Sequence, residues 1–247
     1  MAERTRPPPV PGEIEAALDR RFAGLAGRHG AVVVDPPYLL SRAFLDRVEF
    51  FSSFPRRAVS AGRTGSFLPP ATCYRLFQAL EESDLEAPVT ATLTGPCFRR
   101  EPRYDPGRRH AFTMREVVFV ADERTVATAR DGLADASLQL ARKLGFDAGL
   151  EEAQDPFFAE PGKAKRLLQR LLRLKVELVA AVGDERLAIA SFNLHRDFFG
   201  THLDIKLGGA PAWSGCAAWG IERWRLALEE RWGQDTWPQE VTRVLSE

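Results

Sequence analysis

The chain has 247 residues, 45% of them apolar and 28% charged, enough for one sizeable core. Its 34 basic and 34 acidic residues cancel, so no global positive field draws it to nucleic acid. No apolar run approaches the roughly 20 residues of a membrane-spanning helix, and the start lacks the apolar stretch of a secretory signal, which reads as a cytoplasmic protein.

Residues 1–12 are polar and proline-rich and read as a disordered tail ahead of one catalytic-sized domain, 13–247. From Glu13 onward, Ile14, Ala17, Leu18, Phe22 and Leu25 recur at helical spacing, predicting a helix that ends before Gly30. Ala31–Val34 reads as a strand closed by Pro36 and Pro37, Phe50–Pro55 as a loop, and Leu68–Cys73 as the lead into a helix through Tyr74, Phe77 and Leu80. Strand-like runs at Val89–Leu93 and Val117–Val120 flank a charged, turn-rich loop, Pro102–His110, and should pair antiparallel. Val126, Ala129, Leu133, Leu140 and Leu144 mark a helix over Thr125–Leu144, stopped by Gly145, with a loop to Pro161. Lys163–Lys175 reads as a basic helix, and strands are expected at Val176–Leu178, Leu187–Phe192 and Leu203–Lys206. A Gly208–Gly209 turn and a glycine-rich strand running into a helix at Gly220 follow.

Cys73, Cys97 and Cys216 lie in distant segments without a C-x-x-C, which argues against a disulfide framework and a zinc ribbon. On spacing alone they read as small buried apolar residues. Ser191, His195 and Asp197 are too close in sequence for a hydrolase triad, and no G-x-S-x-G elbow is present. His110, His195 and His202 fit polar rim positions as well as catalytic ones, and His29 fits a helix-end cation.

The densest chemical signal is Phe98-Arg99-Arg100-Glu101, then the turn-rich loop, then Arg108-x-x-x-Phe112, and much later Gly220-Ile221-Glu222-Arg223. Phe-Arg-x-Glu alone suits any exposed, salt-bridged strand; both units in this order at strand edges are hard to obtain by accident. They resemble motifs 2 and 3 of class II aminoacyl-tRNA synthetases, and the helix–strand–proline unit ending at Pro36 resembles motif 1, their dimer-forming element. The resemblance implies an α+β fold with an antiparallel sheet flanked by helices, a homodimer, and ATP-dependent adenylate formation. It implies that Arg99 grips phosphate, Glu101 accepts from the adenine amino group, Phe112 and Arg223 sandwich the ring, Arg223 also reaches the γ-phosphate, and Arg108 belongs to the ATP site. These residue types suit the chemistry. Carboxylate attack on the α-phosphorus spreads negative charge over oxygens that a planar, permanently protonated guanidinium can bind through two parallel hydrogen bonds.

Lys175-Val-Glu177 and Ser191-Phe-Asn193 resemble substrate segments of seryl-tRNA synthetases. The string Ser191–Gly200 more closely resembles the amino acid:carrier protein ligases, bacterial relatives of the atypical, zinc-dependent seryl-tRNA synthetases of methanogens. That resemblance spans nearly the whole chain, from Ile14 to Trp232. It implies a Zn2+ held by Cys73, Glu116 and Cys216, with an open fourth position for the substrate's α-amino group. It further implies substrate contacts from Lys175, Glu177, Ser191 and Asn193, and Mg2+ accompanying ATP. The acceptor would be the phosphopantetheine thiol of an acidic carrier protein docked on Lys163, Lys165, Arg166, Arg170 and Arg173. Cys97 matches no ligand position. Ala188 stands where seryl enzymes place a magnesium-binding glutamate, three residues before Ser191. Two other readings remain: a minimal seryl-tRNA synthetase relative, weakened by the neutral charge and by the absence of residues for a separate tRNA-binding domain, and a non-catalytic ATP- or amino-acid-binding paralogue. Ala188 keeps the latter open; intact Arg99, Glu101, Arg223 and the metal trio oppose it.

Overall fold

Side-chain alternation along a few long strands sorts the apolar residues of this protein into two cores, one on each face of a sheet. The computed structural model describes residues 5–6, 11–63, 65–153, 174–233 and 237–246. Its main sheet comprises β1 (Val32–Val33), β2 (Val89–Phe98), β3 (Ala111–Ala121), β4 (Ala148–Glu152), β5 (Lys175–Val182), β6 (Glu185–Arg196) and β7 (Trp213–Gly220). Their spatial order is β1-β2-β3-β7-β6-β5-β4, and every neighbouring pair is antiparallel except β1 with β2. Helices α1 (Pro11–Arg28), α2 (Cys73–Ala79), α3 (Glu123–Lys143), α4 (Phe198–Leu203) and α5 (Ile221–Trp232) cover it.

One face of the sheet, through Val117, Phe119, Phe192, Ala217 and Trp219, packs against α1, α3 and α5. Phe22 of α1 stacks on Trp219 with ring centroids 5.0 Å apart; burying such a phenylalanine stabilises by roughly 1.5–3 kcal/mol. The other face, through Ala91, Leu93, Val118, Val120 and Cys216, packs against α2 and α4. Asp122 caps α3 by accepting from the Thr125 N–H at 3.0 Å. Gly145 ends it at φ 81°, where a Cβ would lie 2.5 Å from Trp232.

Several expectations need correction. The Gly145–Pro161 loop contains β4, because pairing with β5 imposes a strand on a segment with little β-propensity of its own. Leu203 ends α4, and the strand foreseen at Leu203–Lys206 is the two-residue Lys206–Leu207, joined through Gly208 and Gly209 to Ala210–Pro211. Phe50–Ser53 is a helical turn within the foreseen loop. Strands β2, β3 and β6 extend well beyond their apolar runs, since the ladder continues where side chains become polar. Thr5–Arg6, inside the expected tail, pairs with Trp237–Pro238, and α1 begins at Pro11. Lys175 opens β5 rather than closing a helix, and Lys163, Lys165, Arg166, Arg170 and Arg173 lie outside the described residues.

Candidate active site and metal centre

The registers of four strands assemble the site. Lys175, Asn193, Cys216 and Val118 align in one row across β5, β6, β7 and β3, and Glu177, Ser191, Ala218 and Glu116 form the adjoining row. Both rows share one face, because alternate residues of a strand point the same way. α2 lies across this face and brings Cys73 from above. The result is a buried cluster in which Cys73 Sγ, Glu116 carboxylate oxygen and Cys216 Sγ all lie within 4.8 Å of one another.

Local contacts orient each member. Glu116 accepts from the Thr72 backbone N–H at 2.7 Å, and Cys216 Sγ faces Asn193 Nδ2 at 3.3 Å and His195 Nε2 at 3.5 Å. Gly215 lets β7 approach β6 closely: a Cβ there would lie 2.7 Å from the Asn193 carbonyl oxygen. The Cys73 thiol donates toward Cys216, which lowers the Cys216 pKa, with His195 and Asn193 acting in the same direction; Cys73 itself is raised. Burial raises Glu116. Three acidic groups packed into an apolar layer are stabilised by a shared divalent cation, and two sulfurs with one carboxylate suit a metal such as zinc. The donor set fits. Cys97, also buried, sits outside the cluster, and burial pushes its thiol well up.

The residues expected to bind ATP gather at the other end of the same face. Phe112 lies four residues before Glu116 on β3, about 14 Å along the strand. The Arg99 guanidinium sits 5.0 Å from the Phe112 ring centroid, and its Nε donates to the carbonyl of Pro70, three residues before Cys73, at 2.7 Å. Arg99 therefore joins the aromatic end to the helix carrying Cys73. Arg223, in the first turn of α5, donates from Nε to the Gly107 carbonyl at 2.8 Å and from Nη1 to the Ala188 carbonyl at 2.7 Å. Burial lowers its pKa, with Arg99 adding to the effect. Glu101 is ion-paired with Arg57, while exposed Arg108 closes the loop tip by exchanging backbone hydrogen bonds with Asp105. Ala188 gives its carbonyl to Arg223 and brings no carboxylate to the position where the resemblance places a magnesium ligand.

Known proteins resemble this chain in sequence and in fold. No protein-family profile matches the chain. It is 31% identical to amino acid–[acyl-carrier-protein] ligase 1 of Bradyrhizobium diazoefficiens, across 93% of this chain and 82% of that protein. The chain belongs to the amino acid–[acyl-carrier-protein] ligase family. Ligase 2 of the same organism is also 31% identical, across 85% of this chain and 73% of that one. The type-2 serine–tRNA ligase of Methanococcus aeolicus is 27% identical, but the match covers 74% of this chain and only 38% of that enzyme. Among solved structures, Methanopyrus kandleri SerRS in complex with Aquifex aeolicus tRNASec superposes with a TM-score of 0.76 at 18% identity, covering 94% of this chain and 55% of that one. The Naegleria fowleri cytoplasmic serine–tRNA ligase in complex with AMP gives 0.76 at 15% identity, covering 94% and 57%. The chain thus spans a little over half the length of these structures, and it has the class II synthetase catalytic fold.

Within this ligase, Lys175 and Glu177 pair at 2.8 Å on the site face, beside Ser191 and Asn193. His110 is exposed on the loop, where it accepts from the Glu101 N–H at 3.1 Å. His29 directly follows the last residue of α1, and burial, then Arg28, lowers its pKa. His195 is the residue that the rim reading misplaced, being 2% exposed and next to Cys216. Its signal was present in the ligase sequence as Ser191-x-Asn193-x-His195, a period of two along one strand. Arg57 and Thr72, which hold Glu101 and Glu116, carry no sequence signature. Among the described residues no helix is long and apolar enough to cross a membrane.

Proposed function

We propose that this ligase activates a small amino acid with ATP and passes it to the phosphopantetheine thiol of a carrier protein. The observation that carries this reading is one sheet face bearing the Cys73–Glu116–Cys216 cluster at one end and Phe112 with the Arg99 guanidinium over its ring at the other, while Arg223 is held at Gly107 of the adjoining loop. Cys73, Glu116 and Cys216 would hold a zinc ion. When bound, that ion supplies a Lewis-acidic position for a neutral amine, selecting a free amino acid.

The chain's own residues perform the remaining work. Asn193 Oδ1 and Thr72 Oγ1 are buried without a hydrogen-bond partner among the described residues, polar ends that substrate would satisfy beside the cluster. Arg99 steadies the α-phosphate as the amino acid carboxylate attacks it and pyrophosphate leaves. Arg223, held by Gly107 and Ala188, stacks over adenine opposite Phe112 and meets the γ-phosphate, with Glu101 and Arg108 completing the ATP contacts. Lys175, Glu177 and Ser191 line the amino-acid end. The carrier thiol then attacks the acyl carbon, forming a thioester as AMP departs. Magnesium would enter with ATP, without a carboxylate from position 188. The acidic carrier would dock on Lys163, Lys165, Arg166, Arg170 and Arg173. Val32 and Val33, 66% and 72% exposed on the sheet edge, would meet their counterparts in a homodimer.

Amino-acid-dependent pyrophosphate exchange followed by acceptor labelling tests this function. Label should accumulate as a thioester on phosphopantetheinylated carrier. Ribonuclease-sensitive labelling of tRNA would instead make it a tRNA-charging enzyme, and no exchange with any amino acid would make it a binding protein.

A further inference from the structure

His195 does not face solvent. It lies under α2 and α4, edge-on to Phe77 at 5.6 Å and to Phe199 at 5.0 Å between ring centroids. Its Nε2 is 3.5 Å from Cys216 Sγ and its Nδ1 is 3.2 Å from Ser214 Oγ. Ser214 and Cys216 alternate on β7, so both point at the one ring, and Ser214 is itself 1% exposed. The β6–β7 ladder pairs Leu194 with Gly215 and Arg196 with Ser214, skipping His195, and Arg196 adopts φ 57°, a conformation that costs a side-chain-bearing residue. His195 keeps the face of Ser191 and Asn193, and the bulge falls at its position.

We infer that His195 is a positioning residue of the metal centre: its Nε2–H donates to Cys216 Sγ, and Ser214 fixes the ring tautomer by donating to Nδ1. This rests on the reading that Cys73, Glu116 and Cys216 hold zinc, which requires a thiolate at Cys216. The reverse tautomer would turn a nitrogen lone pair toward that sulfur and repel it, so one tautomer satisfies both neighbours. Asn193 Nδ2 adds a second donor at 3.3 Å. Donors to a metal-bound sulfur restrain its direction and offset its charge. His195 is not a fourth ligand, because its nitrogens fall outside the set of ligand atoms that lie within 4.8 Å of one another.

Chelator competition for zinc, paired with the spectrum of the cobalt-substituted protein, tests this. His195→Phe keeps an aromatic ring between Phe77 and Phe199 but removes the donor, and should weaken zinc binding about 10- to 100-fold. His195→Gln, which retains an N–H donor, should recover most of that loss, and Ser214→Ala should show a smaller weakening. The thiolate-to-cobalt charge-transfer band should shift in His195→Phe and stay near the parent position in His195→Gln. Parent-like zinc affinity in His195→Phe overturns the inference. So does parent-like affinity in Ser214→Ala if the phenylalanine variant fails to fold, or a change in cobalt coordination number, which would make His195 a ligand. A parent chain that binds no zinc overturns the metal centre itself, and the inference with it.

Discussion

Arg223 and Gly107 lie 116 residues apart in sequence and 2.8 Å apart in space, guanidinium Nε to backbone carbonyl. The first turn of α5 thereby pins the loop between β2 and β3, and a second bond to Ala188 ties the same guanidinium to β6. In the proposed function, an arginine so held would be oriented before ATP arrives, which is how fixed charge becomes effective at a transition state.

Arg223→Ala should lower pyrophosphate exchange roughly 100- to 1,000-fold while leaving the melting transition nearly in place. The loop from Pro102 to His110 should also exchange its amides faster, having lost its tether. Exchange at parental rates would remove Arg223 from the ATP site.

Arg99→Ala should produce a comparable loss in adenylation, through kcat more than through KM, because phosphate charge develops in the transition state. Steady-state kinetics with ATP varied decides this. A change in KM alone would make Arg99 a ground-state binding residue.

Zinc should be present at about one ion per chain, since two thiols and a carboxylate form a three-ligand open site. The Cys73→Ser, Cys216→Ser double variant should lose both metal and adenylation, and chelation of the parent should lower its melting temperature. Cys97→Ala should retain zinc and activity. Elemental analysis showing full zinc in the double variant would sink the centre.

Gly215→Ala places a Cβ against the Asn193 carbonyl oxygen and Val126 Cγ1, 2.7 and 2.8 Å away, and neither backbone nor packed helix gives way easily. The variant should be destabilised by about 1–3 kcal/mol, read as a lower denaturant midpoint. An unchanged midpoint would mean that β6 and β7 are not in such close contact beside Cys216.

Reversing charge at Arg166 and Arg170 should weaken aminoacyl transfer to the carrier, and reduce its salt dependence, without altering adenylate formation. Transfer at parental rate and salt sensitivity would place carrier docking elsewhere.

The sequence by itself determined the class of chemistry. Phe98-Arg99-x-Glu101, Arg108-x-x-x-Phe112 and Gly220-Ile-Glu-Arg223 each confine their chemistry to a few adjacent residues, and helical or strand spacing foreshadowed α1, α3 and the central hairpin, because local periodicity reflects which side is buried. The proposed metal trio was visible only through family resemblance; nothing in the spacing of Cys73, Glu116 and Cys216 distinguishes them from Cys97. Tertiary structure decided that question. Strand register set Cys216 and Glu116 on one face, and α2 laid Cys73 over them, while Cys97 came to rest outside the cluster. Register also decided β4, whose sequence carries little strand signal and is shaped by β5 alongside it. Packing under α2 and α4 decided His195: its period-two spacing with Ser191 and Asn193 names its face, but only Phe77 and Phe199 laid over it make it a residue buried against Cys216, where rim and catalytic readings stood equal. In each case the deciding quantity is a pairing between distant segments. Such a pairing leaves no local period in the sequence, because its free energy resides in contacts that exist only once the sheet has formed.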